Sequence, residues 1–461
     1  MRSPVDAIPP LSLDLFPAWM KASADFSDRW CVVGAGPSGL TALKNFRDRG
    51  LAVDGLERES DVGGVWNYGS GAGGVYASTY MISSKRQTQF LDFPMPDTFP
   101  PYPSHRQALE YLRSYASHHG LQESLQFGAE VTSIVADAGQ WLVALKGETK
   151  PRRYRGVVIA NGHHHVPLLP TIRGEFTGAT IHSHEYRTPD ILRGKRVLVI
   201  GAGNSGCDIA VEGAQHAAAT FLSVRRGYHF LPKFLLGVPV DSADAWLHSW
   251  WIPLWLRRWL TRWLVGIASG SPEKYGLPAP DHQLFETHPI VNSQLLYYLG
   301  HGAIGVRPEV QEFRGQKVVF TDGREEAIDL VVYATGYQIR FPFLAEQELD
   351  WAEGRPDLFL HAFSRRHDNL FVAGMIQPNG GLWQLADWQG RLMAAFAESQ
   401  EKHPVNADWF RRVKKDSRPD ISGGISYVAS PRHWLEVEYF AYRDLLQNLV
   451  RGFPAAETAQ R

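Results

Sequence analysis

The sequence predicts an α/β fold in which one βαβ unit is inserted into another, and three observations carry that prediction. The first is Trp30-Cys31-Val32-Val33, a short β-branched run that ends in Gly34-Ala35-Gly36-Pro37-Ser38-Gly39 and leads into helical character. The second is its echo, Arg196-Val197-Leu198-Val199-Ile200 followed by Gly201-Ala202-Gly203-Asn204-Ser205-Gly206. A further apolar strand candidate follows each, at 51–56 and at 220–224. The third is position: the second unit lies mid-chain, between strand candidates at 141–145 and 156–160 and others at 329–334 and 370–373. Those flanking blocks read as two parts of one domain.

Composition sets the frame for these elements. A chain of 461 residues is long enough for two domains with separate cores. Hydrophobic residues at 44% and charged residues at 21% are ordinary globular values and argue against disorder. A formal net charge of -1 supplies no basic field for neutralising phosphates, so no nucleic-acid partner is expected. Two cysteines, Cys31 and Cys207, exclude a disulfide framework and fit a reducing, cytoplasmic setting. Residues 1–28 lack a basic-then-apolar leader pattern and read as an extension laid over the first domain. No apolar run reaches the roughly 18 residues of a spanning helix.

The glycines point to a ligand chemistry. A diphosphate needs backbone N–H donors, a helix N-terminus, and no Cβ in the way. Gly34 and Gly201 permit the tight turn, Gly36 and Gly203 let backbone approach the pyrophosphate, and Gly39 and Gly206 let helix pack on strand. Pro37, Ser38, Asn204 and Ser205 complete the two turns. One such pattern is weak evidence; two in strand-turn-helix context are strong. The end of the second strand distinguishes the ligands. Glu57, with Arg58 beside it, ends the first unit's strand; a carboxylate there accepts from ribose hydroxyls and repels a 2′-phosphate, as suits FAD or NAD. Arg225 and Arg226 stand at the equivalent place in the second unit, where guanidinium groups pair with a 2′-phosphate, as suits NADPH. The segment Asp61-Val62-Gly63-Gly64-Val65-Trp66 adds paired glycines and an aromatic face, expected beside FAD through Gly64, Val65 and Trp66.

The fold class is therefore two Rossmann-like dinucleotide-binding domains, the NADPH domain inserted into the FAD domain. The expected boundaries are 29–165 and 325–461 for the FAD domain, the latter with a C-terminal helical segment. The NADPH domain is expected at 166–324, with a tryptophan-rich helical insert at about 228–290.

At this point the chain resembles the flavin-containing monooxygenases, the class B flavoprotein monooxygenases. The most discriminating stretch is Phe176-Thr177-Gly178-Ala179-Thr180-Ile181-His182-Ser183-His184-Glu185-Tyr186, similar to the family's identifying motif. Ala334-Thr335-Gly336-Tyr337 is similar to the linker returning to the FAD domain, so Thr335 and Gly336 are candidates for both nucleotides. Gly374-Met375-Ile376-Gln377-Pro378 with Gln389-Gly390-Arg391 resembles the flavin-side segment, Asp387 and Gly390 departing from the commonest residues. Tyr275-Gly276-Leu277, His288-Pro289 and Asn292 resemble the later NADPH domain. In Tyr80-Met81-Ile82-Ser83-Ser84-Lys85 the family's flavin-side asparagine is missing, leaving Ser83, Ser84 or Gln87 as substitute donors.

The resemblance implies FAD, NADPH and molecular oxygen as cofactors, a C4a-hydroperoxyflavin, and N- or S-oxygenation of a small organic substrate. It makes His182, Tyr186 and Gln377 the catalytic candidates, His182 in coupling domain position rather than in proton transfer. Baeyer–Villiger or oxidative-decarboxylating chemistry on a carbonyl is the alternative within the class. A flavin NADPH oxidase or redox-sensing module is the alternative outside it. A disulfide reductase would need a Cys-x-x-Cys that the chain lacks. His163-His164-His165 is expected to be a solvated loop, because consecutive residues on an extended strand point to opposite faces, and no metal site is expected.

Six of the chain's 15 tryptophans fall within 246–263: Trp246, Trp250, Trp251, Trp255, Trp259 and Trp263. Those at 251, 255, 259 and 263 share one helical stripe, interrupted by Arg257, Arg258 and Arg262, with Pro253 as a break. Tryptophan with arginine suits a bilayer interface. Burial in a substrate tunnel or a homo-oligomer contact is the favoured reading, since aromatic stripes more often pack on protein.

Overall fold

The computed structural model describes residues 23–71, 73–242, 252–430 and 433–456, with no side-chain description at 268 and 269. Most of the N-terminal extension, and Trp246, Trp250 and Trp251, lie outside the described residues.

The first sheet grows from β1 (Ala24–Val33), α1 (Pro37–Asp48) and β2 (Val53–Leu56). β1 runs parallel to β2 on one side and to β3 (Arg152–Ile159) on the other. β1 begins at Ala24, so it draws in the last residues assigned to the extension. Beyond β3, Leu370–Val372 adds in parallel, which brings the C-terminal part of the chain into the same sheet. The helix Leu382–Lys402 then lies on α1, with the approach set by Gly390. A Cβ there would come within 3.1 Å of Asn45 Nδ2 and 3.2 Å of the Thr41 carbonyl. Asp387, fully buried, accepts from Asn45 Nδ2 at 2.8 Å and from Arg391 Nε at 2.9 Å. The two residues that depart from the family's commonest ones are thus joined in one helix-packing arrangement.

The second sheet is wholly parallel and carries five strands. Its centre is β5 (Arg196–Ile200), flanked by Ala219–Ser223 and Leu330–Tyr333 and extended by Gly305–Arg307 and by β4 (Ala179–His182). α2 (Asn204–His216) follows β5. Leu330–Tyr333 corrects the expected boundary. Placed by sequence in the returning FAD domain, it pairs instead with β5 and β4, because its fully apolar run Leu330-Val331-Val332 suits the interior of a sheet buried on both faces. The return occurs just after it, at Thr335–Gln338. There Tyr337–Gln338 pairs antiparallel with Val166–Pro167, so the outgoing and returning connections form one two-stranded ribbon. The Leu168 N–H donates to Gly336 O at 2.9 Å and the Thr335 hydroxyl donates to Leu168 O, fastening the ribbon.

Candidate active site and cofactor clefts

Both glycine turns have the bare, tightly turned backbone that a phosphate cradle requires. Gly34 (φ +105°) and Gly201 (φ +106°) occupy backbone that an L side chain rarely adopts, and a Cβ on them would strike Ala160 O at 2.6 Å and Ala334 O at 2.5 Å. Gly39 and Gly206 touch the turn itself, each with a hypothetical Cβ 1.9 Å from the carbonyl of the first glycine. The helices opening there, α1 after Gly36 and α2 after Gly203, have no side-chain cap. Their first N–H groups therefore remain available to an anion. Gly63 and Gly64 close over the first turn: a Cβ on Gly64 would lie 3.1 Å from Gly36 Cα, and the Gly63 N–H donates to Ala35 O at 3.0 Å. Val65 and Trp66 complete this short helical turn, Trp66 standing edge-on to Trp383. These features fit a dinucleotide at each turn.

The strand ends beside the two turns carry opposite charge. Glu57 is buried at the end of β2, Oε2 accepting from the Ala35 N–H at 2.6 Å and Oε1 from the Glu59 N–H at 2.9 Å. Each carboxylate oxygen keeps a second lone pair for a ribose hydroxyl. Arg58 turns outward onto Glu59. In the second unit the pair divides. Arg226 is held by Asp281 at 2.7 Å, whose carboxyl that guanidinium pulls down to about 2. Arg225 is exposed and makes no ion pair among the described residues. Asn204 is also engaged, its side-chain oxygen accepting from the Val291 N–H at 2.9 Å. That bond ties the end of the insert to the start of α2.

The three catalytic candidates do not converge. His182 is buried at the end of β4, where Nδ1 accepts from the His184 N–H at 3.1 Å and its ring stands against Tyr337 of the domain ribbon. Burial lowers its pKa. Tyr186 sits in the NADPH-domain core, its hydroxyl donating to Glu212 and its ring edge-on to Tyr76. Burial and the Glu212 carboxylate push that phenol above its ordinary range. Tyr186 is thus enclosed between Glu212 and Tyr76, and His182 packs against the returning connection. Gln377 is different. It lies half-buried on the FAD side, its N–H donating to Leu435 O at 2.7 Å, and it leads directly into Pro378-Asn379-Gly380.

Those residues line a cavity that the sequence did not reveal. Its apolar wall includes Ile82, Leu231, Val240, Leu264 and Phe285, and its polar members include Ser83, Asp241, His288 and Asn379. The cavity therefore lies where the flavin-side segments meet the insert. Of the proposed stand-ins for the missing asparagine, Ser84 has its hydroxyl 3.4 Å from that of Ser242, and its N–H donates to Asp241 Oδ2 at 2.6 Å. Ser83 does line the cavity. Asn379 lines it too, and its Oδ1 accepts from the Tyr439 N–H at 2.9 Å, which leaves its Nδ2 as an amide donor. No sequence signal marked Asn379 or Asp241, because each is brought to the cavity by a different element.

A second unforeseen network locks the two units together. Asp208 of α2, half-buried and with its pKa raised by desolvation, accepts from the Tyr76 hydroxyl at 2.6 Å and from Asn292 Nδ2 at 2.7 Å. His163, His164 and His165 form a bend leading into the ribbon, with His164 exposed and its ring 5.1 Å from that of Tyr337. Cys31 and Cys207 are both buried and neither forms a disulfide.

The family described as "FMO-like: Flavin-binding monooxygenase-like" matches residues 27–457. The chain belongs to that family. It is 33% identical over 445 residues to flavin-containing monooxygenase 5 of Mus musculus, covering 92% of this chain and 82% of the relative. It is also 33% identical over 444 residues to flavin-containing monooxygenase 2 of Homo sapiens, covering 90% and 81%. The fold is shared with the S-allyl-L-cysteine S-oxygenase of Allium sativum (TM-score 0.63, 20% identity, covering 93% of this chain and 89% of that one). It is likewise shared with cyclohexanone monooxygenase in its rotated conformation (TM-score 0.67, 18% identity, 94% and 99%). As a family member the protein is an FAD- and NADPH-dependent oxidoreductase that uses molecular oxygen to oxygenate a small molecule.

The insert departs from expectation. Trp255, Trp259 and Trp263 on the helix Leu254–Ser269 are 69%, 59% and 54% exposed, and Ile267 on the same side is 67% exposed. The tunnel part of the favoured reading fails, because Arg257 and Thr261 face inward in place of the stripe, while exposure in a single chain does not bear on the homo-oligomer part. Pro253 acts as the expected break, standing at the N-cap of this helix.

Proposed function

We propose that the protein oxygenates a soft nucleophile, nitrogen or sulfur, in the cavity between Ile82-Ser83, Pro378–380 and the insert. The observation that carries this reading is the position of the cavity: Gln377 leads into its wall from the FAD side, while Val291, held by Asn204 of α2, enters it from the NADPH side. When bound, FAD reduced by NADPH supplies the activated oxygen. The chain's own part is to bind, orient and exclude water. The uncapped N-termini of α1 and α2 hold the diphosphates, Glu57 holds a ribose, and Arg225 holds the 2′-phosphate. Asn379 Nδ2 and the Ser83 hydroxyl are the donors at the reacting end. His182, Tyr186 and the Tyr76–Asp208–Asn292 network keep the two nucleotides facing one another. A product screen over amines, sulfides and ketones tests the reading by mass. One added oxygen on nitrogen or sulfur is the expected result; lactone or ester products alone would favour the carbonyl alternative, and NADPH consumption with no oxygenated product would favour an oxidase.

The exposed tryptophans belong to the same proposal, as a lipid-interface contact that admits apolar substrate. No described helix is long and apolar enough to cross a membrane. The stripe, with exposed Arg262 among its tryptophans and the exposed Phe234, Leu236 and Val238 of a neighbouring hairpin, has the composition of a surface that lies flat in a headgroup layer. Co-sedimentation with anionic liposomes is expected to fall several-fold in Trp255→Ala/Trp259→Ala. Unchanged sedimentation would remove lipid contact, and a shift in mass by light scattering would assign the stripe to a second copy.

A further inference from the structure

Gln389 is a fully buried amide on the helix Leu382–Lys402, and it holds backbone that is pressed on the first glycine turn's helix. Gly374 stands just beyond Leu370–Val372, with φ +77°. A Cβ there would come within 2.2 Å of Ser38 Oγ and 2.9 Å of Ser38 Cβ, so its bare backbone lies against the second residue of α1. That turn of α1 has no side-chain cap, and its N–H groups suit a diphosphate. Ala373 and Gln377, on either side, are fixed by backbone bonds to Ile159 O and Leu435 O at 2.8 and 2.7 Å. Gly374 is held by a side chain. Its N–H donates to Gln389 Oε1 at 2.8 Å, Gln389 Nε2 donates to the Tyr442 hydroxyl at 2.8 Å, and that hydroxyl donates to Leu360 O at 2.6 Å. The relay runs in one direction only. A backbone N–H can only donate and a backbone carbonyl can only accept, so the amide oxygen must face Gly374 and the nitrogen Tyr442. Tyr442, on the helix Tyr439–Arg451, is fully buried too, and burial raises its phenol above the ordinary range, which keeps it a donor. Packing alone does not ask for this arrangement: methionine would fill the place without burying an amide.

We propose that Gln389 is a positioning residue for FAD, setting the distance of the Gly374 backbone from the N-terminal turn of α1, with Tyr442 fixing the amide in the orientation that does so. A buried N–H deprived of its acceptor is costly, and this segment relieves that cost by moving off Ser38, which changes the shape of the cleft there. The inference concerns the hold on FAD rather than the atom that is oxygenated. It rests on the placement of the diphosphate at α1, which Gly36→Ala tests separately: a variant at Gly36 that keeps its FAD removes that placement, while variants at Gln389 leave the glycine turn intact.

The experiment reads FAD dissociation from the loaded protein and the visible circular dichroism of the bound flavin, each beside the thermal midpoint. Gln389→Met keeps the length and removes the acceptor; it is expected to bind FAD about tenfold or more weakly and to show an altered visible band. Gln389→Glu, whose protonated carboxyl supplies an acceptor and a donor at the same places, is expected to recover to within about threefold of the wild type. Tyr442→Phe, which leaves the amide nitrogen without its partner, is expected to fall between the two. The visible band of the wild type in Gln389→Met, whatever its thermal midpoint, would assign the amide to packing and overturn the proposal. So would an equal loss in Gln389→Glu and Gln389→Met. Where Gln389→Met fails to fold, Tyr442→Phe decides: wild-type FAD affinity with an unchanged band overturns the proposal, and weaker binding with an altered band upholds it.

Discussion

Gly36→Ala is expected to yield a folded protein that has lost most of its FAD. A methyl group at this position meets nothing nearer than Gly64 Cα, at 3.6 Å, which is ordinary contact, so the polypeptide accommodates it. The same methyl occupies the space through which the N-terminus of α1 approaches a pyrophosphate. Forcing that contact costs on the order of 1–3 kcal/mol, or about 5- to 150-fold in affinity. Gly39→Ala makes the informative comparison. Its Cβ would lie 1.9 Å from the Gly34 carbonyl, so the turn itself must move, and stability falls with cofactor content. The flavin absorbance of the purified variants, read beside their thermal midpoints, separates the two. A Gly36→Ala protein that is yellow at wild-type stoichiometry would show that this turn does not hold the pyrophosphate.

The second large effect is expected at Arg225. With Arg226 committed to Asp281, Arg225 is the guanidinium left to read a 2′-phosphate. Arg225→Ala should raise KM for NADPH by roughly 10- to 150-fold, the equivalent of about 1.5–3 kcal/mol for a charge-assisted contact. KM for NADH, which lacks the phosphate, should change little. Arg226→Ala should have the smaller effect on NADPH and should loosen the segment that carries Asp281. Equal losses on the two nucleotides in Arg225→Ala would show that it does not select for the phosphate.

The parts of the molecule legible beforehand share a physical character. The glycine turns, Glu57 and Arg225 lie within single βαβ units, where the features at issue are backbone geometry and one charge at a strand end. Spacing along the chain is then nearly equivalent to position in space. Tyr186 shows where that equivalence ends. It belongs to the most recognisable motif in the sequence, yet its side chain lies in a core against Glu212 and Tyr76, remote from the motif along the chain. The tryptophan stripe shows it again: helical periodicity identifies a face, but whether that face meets protein or solvent depends on neighbours contributed by other elements.

By itself, then, the sequence determined the two strand-turn-helix units, the unlike charges at their ends, and the resemblance to a flavoprotein family. These follow from local sterics and from the rule that a diphosphate needs bare backbone. Only the tertiary structure decided that Leu330–Tyr333 joins the second sheet, that Arg226 is spent on Asp281, and that Asn379 and Asp241 share one cavity. Each of these depends on contacts between segments far apart in the chain, set by which apolar surfaces bury one another, and no local pattern encodes that pairing.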